Sequence, residues 1–189
     1  MTRILGLATS FVISTVMQTS FAAEPQFECV LSPIRTNYGV GEMPVFKVRI
    51  INKSTNEVML VRELDGSCDG RRFPKCRLDV IDANGNLQTN RYIFCALMNL
   101  LGEKDFVTVA PGTEFDPCNG IKHPYQYENF PPTNGGTYTF RYLYSTNTKL
   151  VDDYYGVGVS EINPKKAKRL FERVPKLELM SNEVKLVFK

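Results

Sequence analysis

Gly136-Thr137-Tyr138-Thr139-Phe140-Arg141-Tyr142-Leu143-Tyr144-Ser145 is the stretch that decides the fold. Tyr138, Phe140, Tyr142 and Tyr144 recur at period two, so in an extended chain all four rings share one face. A helix would scatter the same rings around its axis. The spacing predicts a strand over 137–145, opened by Gly135-Gly136 and packed on a core through its aromatic side.

The same alternation recurs on both sides of this strand. In 45–52, Phe46, Val48 and Ile50 face one way, Lys47 and Arg49 the other. In 77–82, Leu78 and Val80 point inward and Arg77 and Asp79 outward. In 183–189, Val184, Leu186 and Phe188 alternate with polar neighbours. Phe27, Cys29 and Leu31 share a face near the start. The apolar run within 57–63 and the segment 106–109 read as further strands, the latter followed by a Pro111-Gly112 turn. Ala83-Asn84-Gly85-Asn86 is the strongest hairpin signal, because Asn-Gly accepts the positive φ of a tight turn, and 87–94 is the expected return strand. Seven or eight short strands without strand-helix-strand repetition predict an all-β, antiparallel β-sandwich.

One helix interrupts this pattern. Asn163 is placed to cap it and Pro164 suits its first turn. Ala167, Leu170, Phe171 and Val174 follow at i, i+3, i+4 and i+7 as one apolar stripe, and Pro175 ends it. The helix is expected over about 164–174, inside an insertion of about 151–180.

Composition limits the alternatives. With 43% hydrophobic and 23% charged residues, the chain has an ordinary globular make-up, neither disordered nor fibrous. A net charge of +3 does not imply nucleic-acid binding. The N-terminus pairs Arg3 with a broken apolar run over 4–16, then Ser20-Phe21-Ala22-Ala23. This reads as a signal peptide over 1–22, leaving 23–189 as one domain that is periplasmic or secreted. No later apolar stretch is long enough for a transmembrane segment.

An oxidising compartment gives the five cysteines meaning. Sequence leaves their connectivity open. Loop lengths favour Cys68–Cys76, which flank a polar turn, and Cys95–Cys118, which close a loop of 22 residues. Each bridge would contribute about 2–4 kcal/mol. Cys29 is then the free thiol, expected to face inward. Cysteine spacing never reaches that of a zinc site, and neither a metal nor a cofactor is expected.

The chain now resembles the bacterial secreted Ig-like β-sandwich domains. The stretches that carry the resemblance are Tyr38-Gly39-Val40-Gly41-Glu42, 82–85, Pro111-Gly112-Thr113-Glu114, Gly136-Thr137-Tyr138 and Ser181-Asn182-Glu183-Val184, in that order. It covers roughly 27–189 and implies an Ig-like architecture; one such fold hosts many functions. The intracellular proteinase inhibitor family is similar in fold and implies an inhibitory loop. This chain departs from that family in its signal peptide, five cysteines, lack of Trp and insertion, so no inhibitory residue is carried over.

Charge supplies the leading functional candidate. Lys165, Lys166, Lys168, Arg169, Arg173 and Lys176 stand against Glu172 alone over 163–176, which leaves the remaining mature chain net negative. Such a helix suits an envelope protein or an anionic polymer. Nucleic acid is not expected, because no stacking aromatics are interleaved with the cations. Tyr125 and Tyr127, in the proline-stiffened loop after His123, and Tyr154 and Tyr155 offer interface area. Asp82-Ala83-Asn84-Gly85-Asn86 begins like a calcium loop but places Gly fourth and Ile93 twelfth, so it reads as a hairpin. Asn52-Lys53-Ser54 is a formal glycosylation sequon. Asp152-Asp153 reads as a pair of loop acids. Neither Gly-x-Ser-x-Gly nor Ser-x-x-Lys occurs. The expectation is a non-catalytic binding or accessory module; a protease inhibitor or an unrecognised enzyme using His123 are the alternatives. The sequence leaves the oligomeric state open.

Overall fold

A computed structural model describes residues 26–62, 76–88, 102–118, 120, 132–147 and 164–189. Strands dominate these residues, as the alternation predicts. They are β1 (Phe27–Pro33), β2 (Asn37–Tyr38), β3 (Phe46–Asn52), β4 (Val58–Val61), β5 (Arg77–Ile81), β6 (Leu87–Gln88), β7 (Phe106–Val109), β8 (Glu114–Phe115), β9 (Gly136–Ser145), β10 (Glu178–Met180) and β11 (Val184–Phe188). A 3-10 turn, Glu103–Asp105, leads into β7, and one helix, α1 (Pro164–Phe171), precedes β10.

One sheet has the order β1-β3-β8 and another the order β2-β11-β9-β5-β6, with β10 also on β9; β4 and β7 form a ribbon of their own. The alternating residues explain why two layers form. Cys29, Leu31, Phe46, Val48, Ile50 and Phe115 of the first sheet are buried, and so are Leu78, Val80, Tyr138, Phe140, Tyr142, Tyr144, Leu186 and Phe188 of the second. Rings meet across the gap: Phe46 lies 5.2 Å from Phe140, and Phe115 packs edge-on to Tyr144 at 6.5 Å. The product is an all-β, sandwich-like arrangement around one core.

β3 and β8 pair through Ile50–Phe115 and Ile51–Glu114. After a break, the same two chain segments pair again as β4 and β7, from Val58–Val109 to Val61–Phe106. Asn52 occupies the break and is fully buried. Its Nδ2 donates to the carbonyls of Asn56 and Val109, both at 2.9 Å, and its Oδ1 accepts from the amide and hydroxyl of Ser54. Every polar atom of the carboxamide is thus satisfied, as burial demands. The sequon nitrogen is enclosed inside the folded protein.

The edge of β1 is closed by a side chain. Asn182 lies between β10 and β11, and its carboxamide accepts from Leu31 N at 2.9 Å and donates to Leu31 O at 3.1 Å. It pairs with β1 as a peptide group of a neighbouring strand would, and so covers part of an edge that would otherwise be open.

Several expectations are corrected. Pairing is not wholly antiparallel, since β2 runs parallel to β11, with Tyr38 beside Phe188. Asp79 is buried, not outward in solvent. It stands opposite Arg141, and its carboxylate accepts from Arg77 Nε at 2.8 Å, so partnered charge makes its burial tolerable. The helix ends three residues early, because Arg173 and Val174 bond back to Leu170 and Phe171, tightening the last turn. The insertion does not reach Met180 as one piece: 178–180 form β10 on β9. Of the return strand over 87–94, the described part is β6.

Candidate binding surface

α1 owes its position to its apolar stripe. Ala167 and Val174 are buried, and Phe171 packs on the core with Leu177 just beyond. The chain after the helix is then clamped to the end of β9. Thr146 Oγ1 donates to Pro175 O at 2.6 Å and accepts from Leu177 N at 2.9 Å, while Thr146 N donates to Leu177 O at 3.0 Å. At the other side Lys166 Nζ meets Glu103 Oε1 at 2.5 Å, fastening α1 to the 3-10 turn.

This docking leaves the cations outward. Lys165, Lys166, Lys168, Arg169, Arg173 and Lys176 are all exposed, as is Glu172. Among the described residues no carboxylate pairs with Lys168, Arg169, Arg173 or Lys176. The first turn of α1 carries Lys165 and Lys166 and no acid. Cations there oppose the helix dipole, at about 0.3–1 kcal/mol each when exposed. Lys166 offsets this with Glu103. Ala167, Phe171 and Val174 spend their side of this segment on the core. No helix among the described residues is long and apolar enough to cross a membrane.

The structure places Lys165, Lys166, Lys168 and Arg169 on α1 and Arg173 in the turn just after it. Tyr125, Tyr127, Tyr154 and Tyr155 lie outside the described residues, as do His123, Asp152, Asp153 and residues 1–22. Cys68 and Cys95 also lie outside them. Their expected partners Cys76 and Cys118 are buried at the same end of β9, each sulfur 3.9 Å from an oxygen, of Ser145 and of Tyr142 respectively. Cys29 faces inward on β1. Sequence reading missed Glu103 and Thr146. Neither carries a motif; they matter only because the fold sets them against the helix and its exit.

Two other acids named by their surroundings prove to be structural. Asp82 Oδ1 accepts from Asn84 N and Asn86 N, both at 2.9 Å, and Oδ2 from Gln88 Nε2 at 2.6 Å. These bonds, that from Asn86 foremost, hold its carboxyl below the usual range although partial desolvation opposes them. Gly85, at φ 84°, completes the turn, so the hairpin reading of 82–86 describes this segment. Glu42 accepts from Gly39 N at 2.5 Å and pairs with Arg35, which in turn lies 4.2 Å over the Tyr38 ring. The Gly39 bond first, then Arg35, draw the Glu42 carboxyl below its ordinary value.

Comparison with protein families, curated proteins and solved structures yields no match for this chain.

Proposed function

We propose that this protein is a non-catalytic binding module of the cell envelope that captures an anionic partner on the outer face of α1. One observation carries the reading: a helix pinned to the core through Ala167 and Phe171, together with the segment that follows it, presents exposed cations, four of them without a carboxylate partner among the described residues. Such a surface attracts negative charge without any rearrangement of the fold. The signal-like segment 1–22 supports export to the periplasm or beyond, and export supports disulfides at Cys76 and Cys118 to the cysteines at 68 and 95. The two facing layers support an Ig-like sandwich as the scaffold.

The test is retention of the full chain on an immobilised anionic matrix at physiological salt. Reversing four charges together (K168E, R169E, R173E and K176E) is expected to abolish retention and leave the melting temperature nearly unchanged, since all four side chains are exposed and pair with no carboxylate among the described residues. Equal retention of this variant would remove α1 as the binding surface.

A further inference from the structure

The exposed charge around α1 is broad. From Lys165 to Lys176 every exposed residue is charged, and Glu172 is the single acid among them. At 3.6 residues per turn Lys166 and Lys168 lie on opposite flanks of the helix, about 160° apart, with Arg169 in the arc between. Arg173 sits in the turn after Phe171 and Lys176 lies beyond Pro175, so the field continues past the helix end. Lys166 is engaged by Glu103, and Lys165 has an interaction within the protein. The cations that remain to a ligand are Lys168, Arg169, Arg173 and Lys176. Two are helical, one is in a turn and one follows a proline, so they present no common register to a partner. The exposed positions also hold no aromatic or large aliphatic residue. A folded protein partner would draw its affinity from such anchors, and lysine is depleted at the centre of protein interfaces. An anionic bilayer needs neither anchor nor register. Its potential acts through a Debye length of about 8 Å at physiological salt. That is close to the width of a helix, about 10 Å, so cations on both flanks are attracted together. The rest of the chain is net negative, so the same surface repels the other faces and turns this one toward it.

We infer that Lys168, Arg169, Arg173 and Lys176 dock the protein on the surface of an anionic lipid bilayer, held peripherally by charge. This rests on the reading of α1 and the segment after it as the binding surface, and it names the partner. Each lysine or arginine near such a surface contributes about fivefold to partitioning, and salt removes the effect by screening.

The experiment measures binding of the full chain to three probes: vesicles of phosphatidylglycerol and phosphatidylcholine in equal parts, vesicles of phosphatidylcholine alone, and soluble polyglutamate matched in negative charge. Each is run at low salt and at about 1 M salt, where the Debye length falls to about 3 Å. The neutral vesicles report any attachment through the apolar run over 4–16. The variants are R169A/R173A and a control of equal charge, K47A/K185A, whose lysines are exposed on β3 and β11. The expected result is partitioning onto the anionic vesicles above that onto the neutral ones, tighter than to polyglutamate and lost at high salt. R169A/R173A then weakens it about 25-fold, while K47A/K185A changes it less than about twofold. Equal loss in the two variants would overturn this surface and, with it, the reading of α1 on which the proposal rests. Tighter binding to polyglutamate than to the anionic vesicles, lost in R169A/R173A, would overturn the bilayer as partner and keep α1 as the surface. Equal partitioning onto both kinds of vesicle would overturn docking by charge. Binding to none of the three probes at low salt would overturn both the bilayer and the surface.

Discussion

Asn52 shows how much one residue can hold. Its carboxamide closes the break between the β3–β8 and β4–β7 ladders, with all its hydrogen bonds directed at this one corner. Asn52→Ala would remove all four of these bonds from a buried corner and is expected to cost about 2–3 kcal/mol, read as a lower urea midpoint at unchanged slope. Gly136 is as constrained. Its φ is 141°, and an added Cβ would sit 2.6 Å from Ala83 Cβ. Gly136→Ala is therefore expected to destabilise by more than about 1 kcal/mol, and Ala83→Gly in that background should restore part of the loss by relieving the contact while the backbone strain persists. Asp82 and Glu42 have carboxyls held below their unfolded values, so their contribution is present above those values and lost as pH falls through the lowered ones. Asp82→Asn is expected to flatten the acid limb of a stability-against-pH curve below pH 3.8; an unchanged acid limb would contradict the assigned role. The period-two alternation made the inward residues of these strands readable. It misread Asp79, because a charged residue in an alternating strand looks solvent-facing until its guanidinium neighbours are placed.

Among the elements, legibility followed length. β3, β9 and β11 lie close to where their alternation put them, since each is long enough to show a period and carries its own apolar face. β2, β8 and β10 have two or three residues each, too few for any period. They exist because a neighbouring strand supplies their hydrogen bonds. The helix was visible in its stripe, but not that Thr146 and Glu103 would fix both of its ends. Tyr144 links elements in a way no local pattern reveals: its hydroxyl donates to Val61 O at 2.8 Å and accepts from Val61 N at 3.2 Å. Tyr144→Phe removes both bonds inside the core and is expected to cost about 1–3 kcal/mol, with faster amide exchange centred on β4.

Across the whole molecule, charge is divided. The segment 163–176 is strongly positive while the rest of the chain is net negative. A polyanion is therefore attracted to one place and repelled from much of the rest. The asymmetry was readable in the sequence. The structure adds that Ala167, Phe171 and Val174 are turned to the core, while the cations of this segment are exposed. The most direct test is lysine acetylation footprinting of the full chain with and without polyphosphate, read by mass spectrometry. Protection is predicted at Lys165, Lys168 and Lys176, with Lys47, Lys53, Lys185 and Lys189 labelled as before. Equal protection at all lysines, or protection away from α1, would contradict the assignment of the helix as the binding surface.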